Sequence, residues 1–338
     1  MFFLVLGLTC VFNSVYSVSI QQKIFQDQWD NFKLKYEKLY ETPEEETYRM
    51  AVYMKNWESI LEHNKLYSLN ISTYWMDMNE FGDLTDEEFR RYYLMSPELY
   101  DSEEAPSDSV PYFENPGLFP LPETVDWRAL AAISEVKNQG KCGACYAFTA
   151  TGALEAQHYL ASKRMISLSE QNILDCTCRT REYKNRGCLG GRVDITFNYI
   201  IHNAGIDTEA SYPYKAAKNR KCNFNTTNIG AIMEKYVKIK RGNEKDLQAA
   251  VARVGPVAVM VDANGMKFYS GGLYQNPKCT DKVSHGMLVV GYGKWRNLDY
   301  WLVKNSWGIE WGEKGYIMMT RNKKNQCAIA SEALYPIV

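Results

Sequence analysis

Two residues of this chain have the type and setting for nucleophilic catalysis: a cysteine heading a predicted helix and a histidine far downstream. Cys145 lies in QGKCGACYAF, where a long helical run begins. A helix N-terminus carries unpaired N–H groups and a positive partial charge. Both favour a thiolate, the form that attacks. A cysteine alone is more often a small buried hydrophobe, so a base must lie beside it. The chain has four histidines. His63 falls in an acidic leader, and His158 and His202 sit in helical surroundings with no distinctive neighbourhood. His285, in VSHGMLVVGYG at the mouth of a predicted strand, is the candidate base, 140 residues after Cys145. Asn305, in VKNSWGIEWG at the end of the next predicted strand, can accept a bond from the imidazole and hold its orientation. Attack on a carbonyl creates an oxyanion. Gln139, six residues before the thiol, and the backbone N–H of Cys145 can donate to it.

Elements must bring these groups together. The segment 145–162 reads as a long helix with Phe148, Gly152, Leu154 and Tyr159 among small residues. A short helix is expected over 167–176, opened by a Ser167–Glu170 capping box. The runs 256–261, 287–292, 300–304 and 315–320 are short, rich in β-branched and aromatic residues and bounded by glycine, and read as strands. A helical half followed by a β half predicts an α+β fold of two packed lobes, with chemistry in the cleft between them. Three helices are predicted upstream. In 22–40, Ile24, Trp29, Phe32, Tyr36 and Leu39 recur at near-helical spacing. A second run covers 43–67, and a third starts at Thr85, where Thr85 and Glu88 form a capping box before Phe89 and Tyr92. The acidic stretch 100–117 holds Pro106, Pro111 and Pro116 and reads as an extended linker, a natural place for a cut.

The totals agree with several units. The chain has 338 residues, a hydrophobic content of 46% and a net charge of −1. That small charge hides an asymmetry. Residues 19–119 hold 9 basic against 21 acidic side chains, and the rest hold 30 against 19. Opposite charges on the two segments favour their association at neutral pH. The basic residues are scattered, which argues against a nucleic-acid-binding arm. The opening MFFLVLGLTCVFNSVYS is apolar but too short to span a bilayer, and reads as a signal peptide over 1–17, removed near Ser17 or Ser19. No later stretch is long enough for a membrane span. Cys10 leaves with the signal and eight cysteines remain, which suits an oxidising compartment.

QGKCGACYAF, SHGMLVVGYG and KNSWGIEWGEKGY together resemble the three active-site blocks of papain-family cysteine proteases. GCLGG and YPY also sit where that family has its glycine-rich substrate strand and a following turn. In the leader, Glu45, Arg49, Tyr53, Asn56, Ile60 and Asn64 fall at the spacings of the family's propeptide motif, with Tyr53 in place of Phe. Asn79, Phe81 and Asp83 resemble the second propeptide motif and point to the cathepsin L-like branch. The resemblance implies a papain-like two-lobed fold behind an inhibitory propeptide over 18–119, with the peptidase over 120–338. It implies Cys145 as nucleophile, His285 as base, Asn305 as orienter and Gln139 as oxyanion donor. Trp307 would shield the Asn305–His285 bond. Gly190 and Gly191 would bind the substrate backbone. Val193, Met260, Val283 and Glu332 would line the pocket for the second residue before the cut, apolar but with a carboxylate that can pair with Arg. Implied bridges are Cys142–Cys188, Cys176–Cys222 and Cys279–Cys327, which leave Cys178 over. A zinc site from Cys176, Cys178 and Cys188 is the rival use of those thiols.

Several positions depart from the common pattern: Tyr146 for Trp, Ala144 for Ser, Leu189 for Asn, and Ser284 where Asp or Asn often precedes the base, the last expected to shift the pH optimum. Asn70 and Asn225 head glycosylation triplets. The expected protein is therefore a secreted or lysosomal endopeptidase, monomeric and in need of neither metal nor organic cofactor. Its expected partners are protein substrates, its own propeptide and cystatin-type inhibitors. A silent binding protein on the same fold would be marked by loss of Cys145 or His285, and both are present.

Overall fold

The computed structural model describes residues 23–95, 110–117, 119–180, 182–217 and 221–338. The expected signal segment with Cys10, and most of the acidic linker including Pro106, lie outside the described residues. The chain divides into two compact units. One takes the described residues up to Ser59 together with Gly82–Leu84, and the other takes Ile60–Phe81 and the described residues from Thr85 to Val338.

The first unit is built on α1, helical over 23–35, and on α2, Pro43–Ser68, which runs on into the second unit. Pro43 at the start and Glu44, Glu45 and Glu46 in the first turn suit a helix N-terminus. The propeptide-motif residues lie on one face of α2 at helical spacing. Glu45 pairs with Arg49, whose guanidinium also reaches the Asp83 carbonyl at 3.1 Å. Tyr53 packs its ring on Trp29 and Phe32, at 5.3 and 4.8 Å between centroids. Asn56 Nδ2 donates to the carbonyls of Gly82 and Leu84, and Asp83 accepts from Lys38 and Tyr40. Two expected core residues are exposed instead, Ile24 and Leu39. Glu37 takes a left-handed conformation (φ 50°) just after α1, and this carries Leu39 off the helical face.

In the second unit, β1 (Tyr74–Met76) is a short strand that sequence periodicity did not single out. Asn64 fixes it by exchanging two bonds with the backbone of Met76. Helix α3 (Asp86–Tyr93) starts with the expected reciprocal Thr85–Glu88 box. Its buried pair is Phe89 and Tyr93, four apart, while Tyr92 is only partly covered.

After β2 (Val125–Asp126) come α4 (Cys145–Ser162), α5 (Glu170–Thr177) and α6 (Val193–His202). Helix α4 is apolar or small on every side, so it is a core helix, buried from Cys145 through Gln157. The cap of α5 is Ser169, whose hydroxyl takes the Asn172 N–H at 2.9 Å. The expected Ser167–Glu170 box does not form, because the Glu170 carboxylate turns inward to Lys137 and Thr151.

The remaining elements are β3 (Ile206–Asp207), β4 (Ile229–Ala231), β5 (Lys235–Lys238), α7 (Glu244–Arg253), β6 (Val257–Val261), β7 (Tyr269–Tyr274), β8 (His285–Trp295), β9 (Leu298–Lys304), β10 (Tyr316–Thr320) and β11 (Ala333–Ile337). The main sheet runs β1-β7-β10-β9-β8-β6-β11-β5, with β2 on β8. Most pairs are antiparallel, β10 and β7 being parallel. Strand β8 lies against α4, and a Cβ on Gly152 would sit 3.3 Å from Leu288 Cδ2. Leu154, Ile173, Phe197, Val290 and Leu302 share one buried apolar cluster beneath the site.

Candidate active site

The site forms where the head of α4 meets the head of β8. Ala144, the N-cap of α4, offers no side-chain acceptor, so the first-turn N–H groups are left for other partners. Burial dominates the surroundings of the Cys145 sulfur, with the backbone N–H groups of Gly286, Tyr146 and Cys145 favouring its thiolate. Gly286 follows His285, and a Cβ on it would lie 3.2 Å from the Cys145 carbonyl oxygen. Residues 140 positions apart are thus neighbours at the crossing of one helix and one strand.

The hydrogen bonds around His285 fix its tautomer. Asn305 Oδ1 accepts the backbone N–H of Ser306 at 2.8 Å. A backbone N–H can only donate, so that amide atom is the oxygen. The same oxygen lies 2.8 Å from His285 Nε2, and therefore Nε2 carries the proton. Nδ1 is then the basic nitrogen, and it is buried without a hydrogen-bond partner among the described residues. The Trp307 ring lies 4.5 Å from the imidazole, centre to centre, and both are fully buried. Burial pulls the His285 pKa down to about 4, against the opposing pull of the Asn305 bond. Burial also pushes the Cys145 thiol up to about 12, although the nearby backbone N–H groups oppose the shift. Between those values both groups are uncharged.

Gln139 is held on every side. Its Oε1 accepts the Ser306 hydroxyl at 2.7 Å, and its backbone carbonyl accepts from Tyr214 at 2.8 Å. Its Nε2 donates to Cys142 O at 2.8 Å and to Tyr93 O at 3.0 Å. The Tyr93 carbonyl comes from the leader. Two residues on, the Met95 N–H donates to the carbonyl of Ser284, the residue before His285, at 2.8 Å. Residues 93–95 therefore bridge the Gln139 side of the site to the His285 side. Phe81 and Phe89 stand edge-on to Trp307 at 5.8 and 5.2 Å. This stretch of leader thus packs against the site in which the thiol and the imidazole are both fully buried.

Gly190 and Gly191 follow a short turn at Gly187–Leu189. Gly190 has φ 117°, open only to glycine, and a Cβ on Gly191 would press within 2.7 Å of Asn185 and the Tyr146 ring. Inner packing thus accounts for Gly191 without reference to a ligand. Val193, Met260 and Val283 join one buried apolar cluster, which Met95 of the leader also enters. Glu332 sits beside them, its carbonyl accepting the Met260 N–H at 3.1 Å. Its carboxylate faces an adjoining pocket lined by Tyr112, Asp194, Lys238 and Arg241. The hydroxyl of Ser284 is used in the loop, accepting from Ala263 N–H.

Disulfides join Cys142 to Cys188, Cys176 to Cys222 and Cys279 to Cys327, leaving Cys145 and Cys178 as buried thiols. The zinc alternative fails, because Cys176 and Cys188 are both spent in bridges. Asn70 and Asn225 are exposed. Sequence reading missed Ser306, which holds both Gln139 and Asn305, although it stands between Asn305 and Trp307 in the same block. It also missed a buried charge cluster behind α4: Lys137, Glu155, Glu170 and Lys304. No helix among the described residues is long and apolar enough to cross a membrane.

Comparison with known proteins agrees with this geometry. Residues 121–337 match the papain family cysteine proteases, and residues 29–89 match the cathepsin propeptide inhibitor domain. Over 312 residues the chain is 46% identical to mouse cathepsin S, covering 91% of this chain and 89% of that protein. It is 43% identical over 324 residues to Drosophila melanogaster cathepsin L1, covering 93% of this chain and 86% of that one. The solved structure of digestive procathepsin L 3 from the Tenebrio molitor larval midgut superposes with a TM-score of 0.84 at 41% identity, covering 93% of this chain and 99% of that one. With its papain-like α+β fold and a cathepsin-type inhibitory propeptide ahead of the peptidase, the chain belongs to the papain family of cysteine proteases and is a cysteine-type endopeptidase.

Proposed function

We propose that Cys145, His285, Asn305 and Gln139 carry out peptide hydrolysis by acyl transfer. The observation that supports this most is the imidazole locked by Asn305 with Nδ1 left to accept, at the crossing that also holds the Cys145 sulfur. Once the leader departs, water and substrate replace the apolar cover, and the thiol proton passes to Nδ1. The thiolate sulfur bonds to the peptide carbonyl carbon, and the oxyanion is taken by Gln139 Nε2 and the Cys145 N–H. The C–N bond breaks as the imidazolium gives its proton to the leaving amine. Water then adds to the thioester with His285 as base and the thiol is released. Trp307 keeps solvent from the His285–Asn305 bond, and Gly190 and Gly191 hold the substrate backbone. Val193, Met260 and Val283 give an apolar site for the second residue before the cut, which their burial among apolar side chains supports. Glu332 extends that site to arginine, so bonds after both Leu-Arg and Arg-Arg are cleaved.

The leader, 18–119, acts as the resident inhibitor, and acid releases it. Its Asp86 pairs with Lys267 at 3.1 Å, and a less negative leader at low pH is held less firmly by a basic enzyme. The cut falls near Phe119 or Pro120. A signal peptide over 1–17 directs the chain into the secretory pathway, for secretion or for a lysosome, with glycans on Asn70 and Asn225. The mature enzyme, 120–338, works as a monomer on protein and peptide substrates and is open to cystatin-type inhibitors. The test is titration of the acid-treated protein with a thiol-alkylating epoxide. One equivalent should abolish hydrolysis and label Cys145. Label elsewhere, or activity surviving in Cys145→Ala, refutes the assignment.

A further inference from the structure

We propose that Arg241 sets how readily the enzyme accepts arginine at the second residue before the cut, by competing with the substrate for Glu332. The inference rests on the reading of Glu332 as part of that pocket. Strand register builds the pair. The Ile239 N–H donates to Ala333 O and the Gly242 N–H to Ala330 O, each at 2.8 Å. The segment 239–242, leaving β5, therefore lies alongside 330–333, the approach to β11. This brings Arg241 to Glu332, and Nη1 sits 3.2 Å from Oε1.

The two partners differ in exposure: the Arg241 side chain is 68% exposed and that of Glu332 only 15%. The carboxylate is thus largely covered and the guanidinium reaches it from the solvent side. The other carboxylate of the adjoining pocket, Asp194, is held by Arg192 at 2.9 Å and approached by Lys238 at 3.9 Å, all three side chains being largely covered. Arg241 is the more displaceable counter-ion, because an ion pair made by a mostly exposed side chain holds weakly. An entering arginine can bring two parallel N–H bonds to the same carboxylate. Leucine in the pocket leaves the Arg241 pair intact, whereas arginine must exchange with it. Arg241 thereby lowers the preference for arginine without touching the reacting atoms.

The test compares kcat/KM for fluorogenic peptides ending in Arg-Arg and in Leu-Arg, using acid-activated protein normalised by thiol titration. Arg241→Gln should raise the Arg-Arg to Leu-Arg ratio roughly threefold to fivefold, the range open to an exposed ion pair. Arg241→Lys, which keeps the charge but loses the planar fork, should fall between and stands in if Arg241→Gln folds poorly. Glu332→Gln should lower the ratio, and in the double variant the Arg241 effect should vanish. If Glu332→Gln lowers the ratio but Arg241→Gln leaves it unchanged or lowers it, the competition is refuted and the pocket reading stands. If Glu332→Gln leaves the ratio unchanged, the pocket reading fails and takes the competition with it.

Discussion

Replacing Glu170 with glutamine should remove a defined part of the pH dependence of stability. Glu170 is fully buried, and its Oε1 accepts from Lys137 and from Thr151. Its Oε2 and Oε2 of Glu209 are both buried without a hydrogen-bond partner among the described residues. Glu170 lowers the pKa of Glu209 against its burial, and one proton shared between the two carboxyls would supply the missing bond. Burial pushes Glu170 up to about 7, Lys137 pulls the other way and the Glu155 charge adds to the rise. Glu209 is also raised, first by burial. Glu155, although buried, is held below the ordinary carboxylate range by Lys137, Lys304, Ser134 and the Leu168 N–H, which outweigh burial. Burial brings Lys304 down to about 8 against the pull of Glu155.

The sign follows from which state holds the proton. Between pH 4.5 and about 7 the folded protein keeps a proton on Glu170 that the unfolded chain releases. Stability from this group is complete below 4.5 and is lost as pH rises through about 7. A shift of that size corresponds to roughly 3 kcal/mol across the window. Glutamine keeps Oε1 for Lys137 and Thr151 and presents Nε2 as a permanent donor toward Glu209. Urea unfolding at a series of pH values, in a Cys145→Ala background to prevent self-digestion, reads the difference. The Glu170 protein should lose stability relative to Glu170→Gln by about 2–3 kcal/mol between pH 4.5 and 7.5. A weaker Lys137 contact would displace the two curves by a constant and leave the difference in slope. Parallel curves would show that the Glu170 carboxyl is not the proton-holding group.

Gln139→Ala should lower kcat about 100-fold with little change in KM, as expected for one lost oxyanion donor; a rise in KM alone would refute that role. Asn305→Ala frees the imidazole to rotate and should cost on the order of 10- to 100-fold in kcat, so an unchanged kcat would show that packing under Trp307 suffices. In the intact precursor the Cys145 thiol is pushed up to about 12 by burial, so a small alkylating reagent at pH 7 should react far more slowly than after acid treatment; equal rates would mean the leader does not cover it. Asp86→Asn deletes the pair with Lys267 and should speed processing roughly twofold to fivefold near pH 6, whereas unchanged processing would place the acid trigger elsewhere.

The candidate site was legible where its chemistry is carried by contiguous blocks. Cys145 sits at the helix start its block announces, and His285 and Asn305 stand at strand ends that β-branched runs and glycines mark. Structure set by distant partners was not legible. Strand β1 exists because Asn64 clasps Met76 and because β7 supplies an edge, and neither is local to Tyr74–Met76. Ser169 replaced Ser167 as a helix cap because Glu170 was claimed by Lys137, 33 residues away. The counter-ion of Glu332 is 91 residues distant, so no local pattern reveals that the pocket carboxylate is already paired.

On the mechanism proposed above, inhibition by the leader is as much electrostatic as steric. A segment that merely filled the groove would leave thiolate and imidazolium formed beneath it, ready to act at the first opening. Here the site is buried beside residues 93–95, and burial keeps the pair as a neutral thiol and a neutral imidazole. The Tyr93 carbonyl also spends the Gln139 donor on an oxygen that is not reacting. On that mechanism, sulfur nucleophilicity, the basicity at Nδ1 and the proposed oxyanion donor are all held back in the precursor, and the leader's departure should restore all three. The strength of the block then depends on how well water is kept out. Contacts that seal the edges without touching the sulfur, such as Phe81 and Phe89 on Trp307, matter to latency as much as those over the thiol.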